Sequence, residues 1–571
     1  MIHLAKQLKY THFTKTSYNM NTYSKNITEP IERGANQAML YALGLNENDL
    51  KKPHIGICSM SYESNPCNAK LNILANKIKD SIKNKNLLPF IFNTVGISDG
   101  IAMGTTGMNY SLPSREIIAD SIETHVYGHH YDGIVCIPGC DKNLPGSAIA
   151  LARLNRPGFI IYGGSMPPSF YNNQKLDIVS AFESYGKFIK NEINNDERLN
   201  IIKNSCNNNC GSCSGMYTAN TMSSLFEVMG LTLPNSTSNP SMSYEKFKEC
   251  DDSSNVMKIL LENNILPSDL FTKKSFINAI SMLYLTGGST NAVIHLLAIA
   301  KAANVNLSLR DFTNLQHLPV LLNLKPHGLY VMNDLHKIGG LSVFIKFLID
   351  NNFLYGDILT ITGKTLYDNV KKNIISYSDS NNDIIHSINN PIKSNSHIKI
   401  LYGNLAPNGC VSKSYSEKTN FIGTAITFNT EDDMLTSLKN GEINKNHCII
   451  IRYQGMGMPE MLSPTSAIIG YFGKYDSPML LTDGRFSGGS HSSLLIAHLP
   501  NAFHDNSPTA LIQNNDIINV DLIHNKINIS VSEEILILRN KYVIKPKINL
   551  TGYMKKYVNS VGDLEDGYST V

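Results

Sequence analysis

The sequence lacks long apolar runs, a strong net charge and tryptophan. No uninterrupted apolar stretch among the 571 residues approaches the ~20 residues that a membrane-spanning helix needs. The net charge of +3 is small for this length, so it gives no electrostatic basis for binding nucleic acid or an anionic membrane. The absence of tryptophan we attribute to biased composition. We therefore predict a protein with no nucleic-acid and no membrane partner.

Cysteine is too sparse for a disulfide framework. The chain has ten cysteines and no apolar segment near its start that would form a secretory signal peptide. Reduced thiols or metal ligands are therefore expected. This favours a cytoplasmic protein. An organellar location is the alternative if residues 1–28, which contain lysine but neither acidic residues nor arginine, are a transit segment.

The length exceeds what one ordinary core holds, so at least two domains are expected. We predict an extension at residues 1–28, disordered, and an α/β domain at residues 29–375. Residues 376–397 are rich in Ser, Asn and Asp at their start and are predicted as a linker. Residues 398–571 contain recurring short apolar runs separated by Gly, Asn and Asp, which predict a β-rich, barrel-like domain.

The first of these domains alternates strand, loop and helix. Apolar runs at 54–58, 89–95 and 131–138 predict strands, and residues 71–83 and 114–127 carry helical periodicity. This alternation is typical of a mainly parallel sheet covered by helices. Pro145-Gly146 predicts a turn, with a helix beginning at Ser147. In such a fold the loops after strands carry ligands and catalytic groups.

Three cysteines lie in loops that each precede a predicted helix: Cys67, Cys140 and Cys213. The spacing of Cys210 and Cys213, with Cys136 and Cys140 as a second pair, is compatible with a closed zinc site of four ligands. Three thiolates on an iron–sulfur cluster would instead leave one iron open to act as a Lewis acid. The spacing leaves both alternatives open.

Three carboxylates are candidates for a hard cation such as Mg²⁺: Asp99, Asp141 and Glu460. Lys142 adjoins them in sequence, and an ammonium binds no cation unless it is deprotonated or carbamylated; the alternative is a surface lysine. Ser487 precedes two glycines and has three possible roles: nucleophile or base, phosphate contact, and helix cap. From the residues alone a cap or turn serine is favoured.

Taken together, eight stretches resemble the dihydroxy-acid and sugar-acid dehydratase family. They occur in the family's order and run from the first strand region into the second domain: PCN at 66–68, GISDGIAMG at 96–104, SRE at 114–116, CDKN at 140–143, CSGMYTAN at 213–220, GGSTNA at 287–292, GNLAP at 403–407 and DGRFSGG at 483–489. No single stretch is specific, but so many in one order are.

The resemblance implies a [2Fe-2S] cluster held by Cys67, Cys140 and Cys213. It implies dehydration of 2,3-dihydroxy-3-methylbutanoate and 2,3-dihydroxy-3-methylpentanoate to 2-keto acids in valine and isoleucine synthesis. It also implies a homodimer. One alternative within the family is a sugar-acid dehydratase; another, from a different class, is a non-catalytic metal-binding protein on the same scaffold.

For the second centre, the resemblance implies Mg²⁺ bound by Asp99, Asp141, a carbamylated Lys142 and Glu460, with Ser487 as the catalytic base. One region departs from the family pattern. The loop at residues 452–460 is shorter than the usual glycine-rich loop and has glutamine at position 454, where glutamate is common. We expect the substrate contacts of this loop to differ from those of the family.

Overall fold

A four-stranded sheet forms the centre of the first domain. The computed structural model describes residues 20–206, 210–373, 383–473 and 476–571. All neighbouring strands of this sheet are parallel, in the order Leu88–Asn93, His54–Ser59, Gly133–Ile137 and Gly158–Ile160. The two central strands are buried along their whole length, as their continuous apolar runs require. The predicted helix-covered, mainly parallel sheet is confirmed.

Helices cover this sheet on both sides and extend the domain. Leu71–Lys83 shows why they form: its buried residues recur at three- and four-residue spacing. None of the described helices is long and apolar enough to span a membrane. The α-helices of this domain are Lys25–Thr28, Gly34–Tyr41, Glu47–Leu50, Leu71–Lys83, Asp99–Ala102, Ser111–Gly128, Asn143–Leu154, Ile178–Ile189, Asn195–Ser205, Thr218–Val228, Tyr244–Glu262, Pro267–Leu270, Lys273–Leu285, Asn291–Ala302, Leu309–Leu315, Met332–Lys337, Leu341–Asp350 and Leu366–Val370.

The short remaining elements of this domain are two 3-10 helices, Ile31–Arg33 and Thr106–Tyr110, and an antiparallel hairpin of Ser169–Tyr171 with Gln174–Leu176.

The predicted turn at Pro145-Gly146 is wrong. The helix Asn143–Leu154 already includes both residues. Proline is tolerated there because the first turn of a helix has no use for its missing N–H group. Gly146 lets two helices pack closely, since a Cβ at this position would lie 2.9 Å from the carbonyl oxygen of Arg115. Lys142 therefore stands at the N-terminal boundary of this helix.

The second domain contains a closed eight-stranded barrel, which confirms the barrel-like prediction. Around the barrel the strands are His447–Ile451, Met479–Thr482, Leu495–Ala497, Ala406–Lys413, Ile398–Gly403, Lys526–Ile529, Ile517–Asp521 and Asn420–Phe428. Sequence reasoning missed Ala406–Lys413, whose start contains proline, asparagine and glycine, and the three-residue strand Leu495–Ala497. A separate parallel pair joins Glu460–Met461 to Arg485–Phe486. The helices are Glu431–Lys439, Ser463–Phe472, Pro508–Leu511, Glu533–Tyr542 and Gly552–Ser560.

Two predicted segments lie partly outside the described residues. Of the extension predicted at 1–28, residues 1–19 are outside, while the backbone N–H groups of Tyr23 and Ser24 donate to Asp132. Of the linker predicted at 376–397, residues 376–382 are outside. The described part forms backbone bridges to the first domain, Leu322 to Ile385 among them.

A helix crossing joins the two domains beside the site. Ile178–Ile189 packs on Ser463–Phe472, with Gly186 facing Gly470. A Cβ at Gly186 would lie 2.5 Å from the carbonyl oxygen of Ala467, so the two backbones approach as closely as only glycine permits. This contact holds the second domain against the sheet edge that carries the candidate ligands.

We predict that Ile450→Ala destabilises the protein by about 2–5 kcal/mol, because it leaves a cavity inside the barrel. Ile450 is fully buried in the barrel core. Ile422→Ala is the matched control, since Ile422 lies on another barrel strand with 72% of its surface exposed. Urea unfolding midpoints of both variants would check this. Equal midpoints for the two variants would contradict the barrel assignment.

Candidate active site

The carboxyl ends of three neighbouring strands meet at one edge of the parallel sheet and carry most of the site. In sheet order they lead to Asp99 after Leu88–Asn93, to Cys67 after His54–Ser59, and to Cys140, Asp141 and Lys142 after Gly133–Ile137. Parallel strands place these loops side by side although they are far apart in sequence. Topology thus explains why a thiol, a carboxylate and an amine lie together.

The three predicted cluster cysteines are in contact. The Cys67 thiol shares hydrogen bonds with Cys140 and Cys213, and these bonds, together with burial, raise the pKa of Cys67 well above its usual range. The same bond to Cys67 lowers the pKa of Cys140. Three thiols at one point form a soft ligand set of the kind that binds iron–sulfur clusters or zinc.

Backbone contacts bring the third cysteine to the sheet edge. Ser212, which precedes Cys213, accepts a hydrogen bond from the N–H of Met166 (2.7 Å) and donates its own N–H to Gly164 (2.9 Å), just beyond the last strand. Asn220, one turn into the following helix, donates its side-chain amide to the Cys213 carbonyl at 2.8 Å. The Cys213 loop is therefore fixed from both sides.

Glycine at position 139 is required by the approach of two loops. A Cβ there would lie 2.4 Å from the carbonyl oxygen of Cys67, a distance at which backbone atoms must move. Gly139 thus sets the separation between the Cys67 and Cys140 loops.

Of the four cysteines considered as zinc ligands, Cys136 is part of the apolar core. It is fully buried in the strand, and burial raises the pKa of its thiol to about 12. Cys206, which is close to Cys210 and Cys213 in sequence but was not predicted as a ligand, lines the same cavity as the three contacting cysteines. Burial, followed by the charges of Cys213 and Asp177, raises the pKa of Cys206 to about 12.

The three predicted carboxylates converge although one comes from the other domain. Asp99, Asp141 and Glu460 each place an oxygen so that all three lie within 4.8 Å of one another. Removal from bulk water, followed by the negative charge of Asp99, raises the pKa of Asp141 well above its usual range. One oxygen of the fully buried Glu460, Oε2, has no hydrogen-bond partner among the described residues. A cation would satisfy both groups.

Lys142 is buried between two of these carboxylates, so the alternative of a surface lysine is wrong. Its Nζ donates to Asp99 Oδ2 at 2.6 Å and also to Glu460 Oε1. Burial disfavours the ammonium form, but the negative charges of Asp99 and Glu460 outweigh burial and raise the pKa of Lys142. Without a metal, the lysine supplies the positive charge that these carboxylates require.

Arg485 is a site residue that sequence reasoning missed. It is fully buried and donates Nη1 to Glu460 Oε1 at 2.8 Å and to the side chain of Asn291 at 3.1 Å. Its Nε donates to the Met458 carbonyl at 2.6 Å. It pairs with Glu460 because the strands Glu460–Met461 and Arg485–Phe486 are in register. A second cation thus holds the Glu460 carboxylate in place.

Ser487 follows the same strand pair and lines the cavity shared by the thiols and carboxylates. Its N–H donates to the Met461 carbonyl at 3.1 Å, which fixes the loop. The next residue, Gly488, touches the start of helix Thr218–Val228: a Cβ there would lie 2.4 Å from the Thr218 nitrogen. Ser487 is therefore held between the two domains.

One cavity of about 160 Å³ connects these groups. Its lining includes the three contacting cysteines and the carboxylates Asp99 and Asp141, and a further part of the wall is apolar. The apolar wall consists of Ile101, Met103, Met166, Ile178, Val179, Phe182 and Leu462. A cavity of this size suits a small ligand with a charged end and an aliphatic end.

The shortened loop at residues 452–460 lies behind the site. The buried carboxylate of Asp483 accepts backbone N–H groups from Tyr453 (3.1 Å) and Gln454 (3.0 Å). Gln454 donates its side-chain amide to the carbonyl of Asn429, away from the cavity. In the part of the chain that the structure describes, neither Gln454 nor Gly455 lines the cavity, so the loop acts on the site by presenting Glu460.

We predict that Arg485→Met lowers the free energy of unfolding by about 3–5 kcal/mol, because it breaks a buried ion pair and leaves Glu460 poorly compensated. Lys274→Met is the control: it breaks an ion pair with Asp357 in which the side chains are 53% and 65% exposed. For the control we expect a change within about 0.5 kcal/mol. Thermal unfolding in the presence of a chelator would measure both, and equal losses would argue against a buried Arg485–Glu460 pair.

Comparisons with known proteins agree with this geometry. The N-terminal model of the dihydroxy-acid/6-phosphogluconate dehydratases matches residues 52–369, and the C-terminal model matches residues 383–568. A dihydroxy-acid dehydratase of Francisella tularensis subsp. novicida is 46% identical over 558 residues, covering 96% of this chain and 99% of that protein. A mitochondrial dihydroxy-acid dehydratase of Schizosaccharomyces pombe is 45% identical over 565 residues, covering 96% and 93%. The chain belongs to the dihydroxy-acid/6-phosphogluconate dehydratase family.

Proposed function

We propose that the protein is a dihydroxy-acid dehydratase, a hydro-lyase that converts 2,3-dihydroxy-3-methylbutanoate and 2,3-dihydroxy-3-methylpentanoate to their 2-keto acids in valine and isoleucine synthesis. The observation that carries the proposal is the convergence of three thiols, two carboxylates and Ser487 on one cavity, with an oxygen of Glu460 within 4.8 Å of those two carboxylates. Relatives that are 45–46% identical over almost their whole length bear the name of this activity.

The three contacting thiols fit the [2Fe-2S] cluster expected from the family resemblance. Cys67, Cys140 and Cys213 would hold it, leaving one coordination position on one iron without a cysteine ligand. Cys206 borders the same cavity, and burial raises the pKa of its thiol to about 12. The fit rests on the chemistry of the donor set, because soft thiolates prefer iron over magnesium.

The carboxylates fit a magnesium ion, the hard cation that oxygen ligands select. Asp99, Asp141 and Glu460 would bind it. Oε2 of Glu460, which has no partner in the part of the chain that the structure describes, is a buried acceptor that needs a cation or a donor. Lys142 would join them as its carbamate. Carbamylation exchanges the positive ammonium between Asp99 and Glu460 for a negative group. The side chain of Lys142 would then attract Mg²⁺, whereas the ammonium compensates the carboxylates with its own positive charge.

When bound, the two centres would supply Lewis acidity, iron at the leaving C3 hydroxyl and magnesium at the carboxylate and C2 hydroxyl. Ser487 removes the C2 proton. The C3–O bond breaks, the departing hydroxyl takes up the proton that Ser487 removed and leaves as water, and the resulting enol tautomerises to the 2-keto acid. A serine hydroxyl is a weak base at neutral pH, so the proposal requires strong positive charge beside its oxygen.

The apolar wall favours branched aliphatic acids over sugar acids. Ile178, Val179 and Phe182 lie on one helix and face the cavity together with Leu462. A sugar acid would bury several hydroxyl groups against these side chains without hydrogen bonds, which costs about 1–3 kcal/mol for each group. The methyl and ethyl branches of the proposed substrates gain from the same contacts.

The homodimer expected from the family resemblance is part of the proposal. The described chain exposes apolar residues near its N-terminal helices, with Ile31 95% and Met39 73% exposed. A second subunit would cover such a face. The cytoplasmic location and its organellar alternative stay predictions; the fission-yeast relative is named mitochondrial.

We predict that purified protein, assayed without oxygen and with Mg²⁺, forms 2-keto acid from 2,3-dihydroxy-3-methylbutanoate and little or none from aldonates. The same sample should contain about two irons per chain, as a [2Fe-2S] centre requires. Ser487→Ala should lower kcat by about 10²–10⁴-fold, as expected for loss of a catalytic base. Ser560→Ala, which changes an exposed serine at the end of helix Gly552–Ser560, should not.

Four results would contradict the proposal. Zinc in place of iron would rule out the iron–sulfur cluster. Faster turnover of aldonates would favour the sugar-acid dehydratase. Wild-type turnover by Ser487→Ala would rule out Ser487 as the catalytic base. Iron without any lyase activity would favour the non-catalytic metal-binding protein.

We predict that Gly139→Ala lowers the iron and sulfide content at least several-fold, because the added Cβ would meet the Cys67 carbonyl at 2.4 Å and push the two cysteine loops apart. Gly128→Ala is the control, since nothing lies within 4 Å of a Cβ at that position. Iron analysis and the visible absorption spectrum of anaerobic samples would report the loss. Full cluster content in Gly139→Ala would show that the loop separation is not limiting.

A further inference from the structure

A buried arginine lies where the C-terminal tail meets the first domain, away from the cavity. Arg115 is fully buried and its guanidinium makes four hydrogen bonds to other residues. Nη2 donates to the carbonyls of Gly567 (2.9 Å) and Tyr568 (2.8 Å). Nε donates to Glu116 (2.7 Å), and Nη1 contacts Nδ1 of His295 at 3.2 Å. The guanidinium is thus bonded by several groups at once, and two of them lie more than 450 positions away in the sequence. These bonds indicate a specific contact between the C-terminal tail and the first domain.

The first route from Arg115 to the carboxylates follows its own helix. Ser111 lies one turn before Arg115 on Ser111–Gly128. The Ser111 hydroxyl donates to Asp99 Oδ1 at 2.6 Å. Positions four residues apart share one helix face, so the position of Arg115 and that of the Asp99 donor are linked through a rigid turn.

The second route passes through His295. On helix Asn291–Ala302, His295 and Asn291 are also four residues apart. Asn291 accepts from Arg485 Nη1 at 3.1 Å, and the same nitrogen donates to Glu460 at 2.8 Å. Arg115 is thus connected to Glu460 of the second domain by a series of contacts. The series runs through His295, the helical turn from His295 to Asn291, and Arg485.

In this second route His295 is neutral and accepts a hydrogen bond. A guanidinium only donates, so Nδ1 of His295 must carry the lone pair and Nε2 the proton. Burial, followed by the charge of Arg115, holds the pKa of His295 well below its usual range. The side chain therefore responds to the direction of the Arg115 donor and not to pH near neutrality.

The tail is fitted closely to these helices. Gly567 has φ +62°, and a Cβ there would lie 2.2 Å from the Ile294 carbonyl oxygen. Thr570 donates its hydroxyl to Glu116 Oε2 at 3.1 Å. On the outer side, Lys301 pairs with Asp566 in an exposed ion pair. Only the inner contacts lead toward the site.

We propose that the C-terminal residues 567–570, together with Arg115 and His295, position both Asp99 and Glu460 for the divalent cation. This inference rests on the proposed magnesium site. Arg115 and His295 touch neither the cavity nor the carboxylates among the described residues, so they are positioning residues. Groups that orient metal ligands in this way typically change metal affinity by 10–100-fold.

The test measures Mn²⁺ binding by electron paramagnetic resonance on full-length protein freed of divalent cations. Two variants break the proposed route: a chain that ends at Asp566, and His295→Leu. His295→Asn keeps an acceptor at the Nδ1 position, and Lys301→Ala removes only the exposed pair. We expect 10–100-fold weaker Mn²⁺ binding for the first two variants and a change of less than about twofold for the other two. Circular dichroism monitors folding; if the shortened chain does not fold, His295→Leu and His295→Asn decide.

The outcomes separate this inference from the proposed function. Wild-type Mn²⁺ affinity in His295→Leu would overturn the positioning role, even if its melting temperature fell, because a purely structural role lowers stability alone. An equal loss in His295→Asn would also overturn it, since the loss would then follow from the changed size. A wild-type protein that binds no Mn²⁺ would overturn both the inference and the magnesium site.

Discussion

The site depends on the electrostatic cost of bringing three carboxylates together inside a protein. Asp99, Asp141 and Glu460 approach within 4.8 Å, and two of them are almost fully buried. Negative charges at this separation repel strongly unless cations lie between them. Lys142 and Arg485 supply those charges, and a bound divalent ion would supply more. The need for compensation explains why a lysine and an arginine are fully buried at this point.

The two-domain architecture follows from the same requirement. Asp99, Asp141 and the cysteine loops leave one edge of the parallel sheet, whereas Glu460 and Ser487 come from the strand pair of the second domain. Neither set is sufficient alone. The glycine crossing at Gly186 and the contact of Gly488 with Thr218 bring the sets together at distances that side chains would prevent. The site therefore lies where the two domains are in contact.

Sequence reasoning predicted the parts of the site that carry their own local signal. Cysteines and carboxylates beside Gly and Pro in loops after strands are visible as candidates, and the parallel sheet explains why they meet. The residue types alone suggested a cation such as Mg²⁺ and left zinc and an iron–sulfur cluster open. The choice of a [2Fe-2S] cluster and of Ser487 as the base came with the family resemblance, and all of these remain predictions. Arg485 was missed because an arginine among glycines gives no sign of burial until Glu460 is known to pair with it. Arg115 was missed for a similar reason, since its partners lie at the other end of the chain.

The elements that sequence reasoning predicted wrongly or missed also have physical explanations. Proline and glycine at 145–146 were taken for a turn, but the first turn of a helix accepts both. The strand Ala406–Lys413 escaped because barrel closure, not local propensity, supplies its pairing. Local rules therefore recovered most elements of the fold and lost those whose conformation is set by distant partners.

A crystal structure of anaerobically prepared protein soaked with Mn²⁺, with anomalous data collected at the iron and manganese edges, would test the central claim most directly. The account predicts iron bonded to Cys67, Cys140 and Cys213, and a separate manganese bonded to Asp99, Asp141 and Glu460, both facing one cavity. Iron at other cysteines, or manganese absent from the carboxylates while Lys142 remains an ammonium between them, would contradict it.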